Sequence, residues 1–198
     1  MSQKNKYRYF HGKSFYQVMY THSFIYGYID QVDNQKLSKL CIKNYKKRRS
    51  EDKNDTLAED IIIPFSEEIK WIGQQMSNAY ENKFGTPLRI KSSKDYWAQV
   101  HYKNESTQFH NHFGPNADIV GVYYVKVPTK SGDLTLKYKK HELDNSRWFF
   151  PPEENKFILF SAGIEHGVAP NQNNEPRVCI SMNFNIKNKK DRDDKKVQ

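Results

Sequence analysis

Over residues 177–186 apolar and polar side chains alternate without a break. Val178, Ile180, Met182, Phe184 and Ile186 fall on one side of an extended chain, and Arg177, Cys179, Ser181, Asn183 and Asn185 on the other. This is the pattern of a strand with one face in a core and the other toward a polar space. Shorter strand-like runs recur from Leu88 onward, at 96–102, 107–110, 119–127, 133–138, 147–150, 157–160 and 165–168. Gly114-Pro115-Asn116, Pro128 to Gly132, Pro151-Pro152 and Pro170-Asn171 to Pro176 punctuate them. Many short strands with regular turns predict a sandwich or barrel.

The first 87 residues have a different texture. Phe24 to Ile29 predicts a strand at a sheet edge. Asp33 or Asn34 offers an N-cap, and Leu37, Leu40, Cys41 and Tyr45 recur at helical spacing. This helix is expected to fray into the charged run Lys46 to Asp55. A second helix is capped by Ser66, carries Glu67 and Glu68 in its first turn, and shows the stripe Ile69, Ile72, Met76 and Tyr80 before Gly85 and Pro87 end it. Such a stripe is packing surface for a sheet. The expected organisation is one domain of 198 residues: an N-terminal strand and buttressing helices in 1–87, a β core in 88–186, and a disordered basic tail in 187–198.

Charge changes this picture little. The net charge is +9, yet residues 1–13, 43–55 and 187–196 account for all of it, so the rest of the chain is about neutral. Solvated tails and a solvated loop are the favoured reading over a nucleic-acid footprint, although basic tails would still attract a polyanion weakly. No run is long and apolar enough to span a bilayer, and Met1 to Phe10 lacks the apolar stretch of a secretory signal. Cys41 and Cys179 have no metal-type spacing, which points to free thiols in the cytoplasm.

The candidate chemistry lies in Gln108-Phe109-His110-Asn111-His112 and in His166. Two histidines at i and i+2 of an extended chain point to one side, so both imidazoles reach one ion. A third from a distant strand completes a facial set that leaves coordination positions open, as catalysis requires. Arg177 and Ser181, on the polar face of the last strand, would be costly inside a barrel without an anion to pair with.

These positions resemble the jelly-roll oxygenases that use Fe(II) and 2-oxoglutarate. The resemblance covers about residues 95–186 and rests on Trp97 to Val100, Val120 to Pro128, Leu159 to Pro170 and Arg177 to Phe184, as well as on the histidines. It is nearest to a prokaryotic and phage branch, which would place the chain in a host cytoplasm. It implies a mainly β fold with N-terminal helices, built on a double-stranded β-helix, the jelly roll of cupin-like barrels. It also implies Fe(II) on the histidines, with no catalytic side chain beyond the metal site. Arg177 would bind the far carboxylate of 2-oxoglutarate, helped by Ser181 and by Tyr102. Oxygen would be consumed, succinate and carbon dioxide released, and a protein or small-molecule substrate hydroxylated, with peptidyl proline as the first candidate. The family's usual carboxylate is replaced here by His112. Three ligand sets stay open: His110, His112 and His166 together; His110 and His166 with Asp118; or His112 and His166 alone, with Gly114 in the carboxylate position. Two other classes are a cupin-like metalloprotein that does not use 2-oxoglutarate and a non-enzymatic nucleic-acid-binding module.

Overall fold

The structure is a computed structural model, and it describes residues 24–51, 61–112, 117–138 and 146–187. The segments that carry the +4 N-terminal charge, residues 52–55, the Gly114 turn and the C-terminal tail beyond 187 lie outside the described residues. Strand β1 (Ile25–Tyr28) precedes helices α1 (Asn34–Glu51) and α2 (Glu67–Phe84). Nine further strands follow among the described residues: β2 (Leu88–Arg89), β3 (Tyr96–His101), β4 (Thr107–His110), β5 (Ile119–Lys126), β6 (Leu134–Tyr138), β7 (Ser146–Phe150), β8 (Lys156–Ser161), β9 (Glu165–Val168) and β10 (Arg177–Ile186).

The strands form two antiparallel sheets. The larger runs β1-β8-β5-β10-β2, with β3 also paired to β10. The smaller runs β4-β9-β6-β7. Alternation along β10 divides the interior as its pattern predicts. Val178, Ile180, Met182 and Phe184 join Leu37, Cys41 and Tyr45 of α1 and Ile69, Ile72 and Met76 of α2 in one core. Cys179 joins Val120, Val122 and Tyr124 of β5, Leu134 and Leu136 of β6, and Ile158 and Phe160 of β8 in a second core. The major sheet is thus covered by helices on one side and by the minor sheet on the other. The fold is mainly β, with two helices and curled sheets, and matches the jelly-roll expectation.

Helix α2 begins where its sequence says. Ser66 is extended, and its side chain accepts from the Ile69 N–H; at the other end Gly85 N–H returns to Glu81 O. The helix sits close to the sheet at Gly121, where an added Cβ would lie 2.8 Å from Met76 Sδ and 2.9 Å from Phe184 Cε2. Helix α1 is longer than expected. It is capped by Asp33, whose Oδ1 accepts from Lys36 N at 2.9 Å. It then continues through Lys46–Arg49 to Glu51 instead of fraying. Its exposed last turns gain local partners, Ser50 Oγ to Lys47 O at 2.6 Å and the Lys47–Glu51 pair at 3.9 Å, so the turns need no core to stay helical. Strand β2 was not foreseen, since two residues leave no periodic signal; it pairs with Asn185 and Ile186 of β10.

Candidate active site

Strands β4 and β9 are paired so that His110 lies directly opposite His166. His112 follows two residues past His110, tied by its backbone N–H to Ala162 O at 2.9 Å. The three rings converge, with centroids 4.4–5.1 Å apart. One ring nitrogen from each lies within 4.8 Å of the others, so the three could hold a metal ion.

The hydrogen bonds say which nitrogens face the centre. His110 Nδ1 meets Gln108 O at 2.8 Å, and His166 Nδ1 meets Ile164 O at 3.0 Å. A carbonyl only accepts, so both Nδ1 atoms carry the proton, and each Nε2 presents a lone pair. His112 Nδ1 meets Asn183 Oδ1 at 2.8 Å in the same sense. His110 Nε2 and His112 Nε2 then face each other at 3.1 Å, lone pair against lone pair. A cation resolves that repulsion. Two imidazoles at right angles about a metal at about 2.1 Å place their nitrogens about 3.0 Å apart. Ligating histidines that donate their other N–H to an oxygen are the usual metal-site arrangement. His166 is also kept neutral: burial, with the neighbouring His110 and His112, outweighs its bond to Ile164 O and pulls its pKa down to about 3. Trp97 stacks on His112 at 5.8 Å, and Phe160 meets His166 edge-on at 4.8 Å.

Asp118 does not come to this centre. It is exposed, and its Oδ2 accepts from Ile186 N at 2.8 Å at the end of β10. Among the described residues the carboxylate alternative therefore has its oxygen engaged elsewhere, and the cluster holds histidines alone.

Arg177 lies beside the triad, lining one cavity with His112, His166, Trp97, Tyr124 and Ser181. It is 1 % exposed. Nη1 donates to Gly132 O at 3.0 Å and Ser131 O at 3.3 Å, and Nη2 to His101 Nδ1 at 2.8 Å. Gly132 is required there: its φ is +87°, and a Cβ would fall 2.1 Å from Ala169 O. Among the described residues no carboxylate pairs with this guanidinium. A buried charge without a counter-ion costs several kcal/mol. Arg177 Nε, Trp97 Nε1 and the Tyr124 hydroxyl are buried and unpartnered. Burial raises the Tyr124 pKa, so its phenol remains a donor. Three waiting donors and one unpaired cation in a single cavity suit an anion.

Two residues exchange places relative to expectation. Tyr102 packs its ring on Tyr45 at 5.1 Å, on the helix side of the sheet, and does not line the cavity. Pairing of β3 with β10 sets His101 opposite Arg177, and period-2 alternation sends Tyr102 to the other face. Tyr124, opposite Cys179, supplies the phenol instead. Asn183 was legible only as a member of the polar face of β10, and its bond to His112 joins strands far apart in the chain. Trp148 is 42 % exposed, although tryptophan is highly buried on average.

Residues 95–183 match the family described as "Putative 2OG-Fe(II) oxygenase". No curated protein matches the sequence. Similar solved structures include a Pseudomonas putida prolyl-4-hydroxylase, with 14 % identity over 85 % of this chain and 90 % of that one and a TM-score of 0.53. The carbocyclase SnoK from nogalamycin biosynthesis, described as non-heme and alpha-ketoglutarate-dependent, gives 11 % identity, 82 % and 79 % coverage and a TM-score of 0.58. The non-heme monooxygenase ThoJ, in a nickel complex, gives 11 %, 84 % and 74 %, and 0.59. At these identities the structures establish the fold, and the family match spans the histidines and Arg177. By that match, residues 95–183, a little under half of the chain, carry the signature of a 2-oxoglutarate- and Fe(II)-dependent oxygenase, an oxidoreductase whose cofactor is Fe(II) and whose co-substrate is 2-oxoglutarate.

Proposed function

We propose that this oxygenase hydroxylates a peptidyl substrate, with proline as the leading candidate, and that His110, His112 and His166 are its iron ligands. The balanced reaction joins 2-oxoglutarate, O2 and a substrate C–H to give succinate, carbon dioxide and the hydroxylated carbon. The observation that carries the reading is the convergence of three Nε2 atoms beside a buried, uncompensated Arg177. Iron, when bound, supplies the oxidising chemistry. The chain's own residues do the rest. The Nδ1 bonds to Gln108 O, Asn183 Oδ1 and Ile164 O hold the three rings oriented, with Nε2 of each toward the centre. Arg177 pairs with the far carboxylate of 2-oxoglutarate, and Tyr124 and Ser181 donate to it. The apolar ring formed by Val120, Val122, Leu134 and Val168 keeps bulk water from the cavity.

The substrate side is supported by a row of side chains across the minor sheet. His110 opposes His166, His166 opposes Leu136, and Leu136 opposes Trp148. Directly opposed residues share a face. Trp148 therefore ends, near the sheet edge, the row that starts at the histidines. Its partly exposed indole suits a prolyl ring or an aliphatic side chain. The name of the prolyl-4-hydroxylase neighbour points the same way.

The test is anaerobic addition of Fe(II) and 2-oxoglutarate, followed by air and a set of proline-containing peptides. A visible iron-to-keto-acid charge-transfer band, succinate formation and a peptide gaining one oxygen atom are expected. Absence of both band and succinate overturns the reading. Succinate without a modified peptide overturns only the choice of substrate.

A further inference from the structure

The acid anchor and the histidines sit on different sheets: Arg177 on β10 of the larger, His110 and His166 on β4 and β9 of the smaller. One buried side chain joins them. His101, 0 % exposed on β3, meets Arg177 Nη2 through Nδ1 at 2.8 Å and Thr107 Oγ1 through Nε2 at 2.9 Å. A guanidinium has no acceptor, so His101 Nδ1 must be the acceptor. The ring proton is then on Nε2, which donates to the Thr107 hydroxyl. Thr107 opens β4, and His110 closes it.

Each part of this chain is held. The main-chain carbonyl of His101 accepts from Asn171 Nδ2 at 2.9 Å. Thr107 is 4 % exposed and pairs with Val168 of β9. On the far side of the guanidinium, the carbonyls of Gly132 and Ser131 hold Nη1. The guanidinium cannot move relative to β4 without breaking a buried hydrogen bond. Burial and the Arg177 charge keep the ring neutral, with a pKa near 3, so the acceptor at Nδ1 persists across ordinary pH.

We propose that the Thr107–His101–Arg177 relay sets the separation between the carboxylate anchor and the metal-facing histidines, and thereby selects the chain length of the keto-acid co-substrate. The proposal rests on Arg177 being the 2-oxoglutarate anchor. His101 and Thr107 are positioning residues, and neither touches the reacting atoms. A dicarboxylate held at both ends must span a fixed gap. One methylene changes its reach by roughly 1 Å, and a misplacement of that size can cost about a hundredfold in rate.

The experiment compares wild type with Thr107→Val, His101→Leu and His101→Asn, each loaded with Co(II) under anaerobic conditions. Affinities for Co(II) alone, 2-oxoglutarate and 2-oxoadipate are measured, with circular dichroism to confirm folding. Thr107→Val keeps the shape of the side chain and removes the hydroxyl. It is expected to weaken 2-oxoglutarate about tenfold, the size of one lost buried hydrogen bond, while Co(II) affinity stays within about twofold. The preference for 2-oxoglutarate over 2-oxoadipate should shrink in the same variant. His101→Leu should do both more strongly. His101→Asn, which keeps an acceptor for Arg177, should recover part of the preference and provides a folded comparison if the leucine variant does not fold. Equal proportional loss for both keto acids overturns the proposal, because a merely structural role would weaken them alike. Unchanged affinities overturn it too. A wild-type protein that binds Co(II) but neither keto acid overturns the anchor assignment itself, and the proposal with it.

Discussion

Arg177 has protein acceptors on both terminal nitrogens, and none of them is charged. Replacing it with alanine should abolish 2-oxoglutarate turnover and leave metal binding intact, read by succinate assay beside a Co(II) titration. Under the cupin-like alternative, the same variant would stay active. Arg177→Lys keeps the charge without the planar fork, so a loss of at least about tenfold in 2-oxoglutarate affinity is expected. His101 carries a second residue-scale consequence. Its pKa falls from 6.5 unfolded to about 3 folded, so between those values the unfolded chain binds the extra proton. Stability from keeping this ring neutral is complete above about pH 6.5 and is lost as pH falls toward 3. The full effect is on the order of 4 kcal/mol. Urea titrations of metal-free protein between pH 7 and 5 should show the decline, and His101→Asn should flatten part of it. At this scale the histidines and Arg177 were legible because their residue types and spacing are chemically unusual. The roles of Tyr124, Asn183 and His101 were not legible, because each depends on a residue far away in the chain.

Elements behave more simply. The cap of α2 was readable in Ser66 followed by Glu67 and Glu68, and its loss in Ser66→Ala should cost about 1 kcal/mol in a chemical denaturation curve. Met76, fully buried between α2 and the sheet, should cost about 2–5 kcal/mol as alanine. Gly132→Ala is a different case. The substitution meets both a left-handed backbone and the Ala169 carbonyl, so the turn that binds Arg177 must shift. Loss of 2-oxoglutarate affinity together with a lowered melting temperature is the expected result. Most strand boundaries were legible within a residue or two, since alternation and turn residues are local signals. The end of α1 was not. Its last turns are held by contacts within the helix and lack an apolar stripe, so the hydrophobic pattern stops before the helix does.

In the whole molecule the active site lies between the two sheets, and no helix among the described residues is long and apolar enough to cross a membrane. A site assembled from β3, β4, β5, β9 and β10 exists only in the folded chain, so ligands that fill it must stabilise the fold. Co(II) and 2-oxoglutarate, each at about a hundredfold over its dissociation constant, should together add roughly 5 kcal/mol, or about 10–20 °C in melting temperature. Thermal scans of wild type and Arg177→Ala should separate the two contributions, with the variant keeping only the part due to metal. By itself the sequence determined every strand but β2, the two sides of β10, the caps of α2, and the candidacy of His110, His112, His166 and Arg177. All of these follow from periodicity or residue chemistry within a few positions. Only the tertiary structure decided that Asp118 lies apart from the histidines, that Tyr124 replaces Tyr102, and that His101 links Arg177 to the strand of His110. The reason is that strand register and sheet packing join residues as distant as Ile25 and Leu159, and local pattern carries no record of which strand lies opposite which.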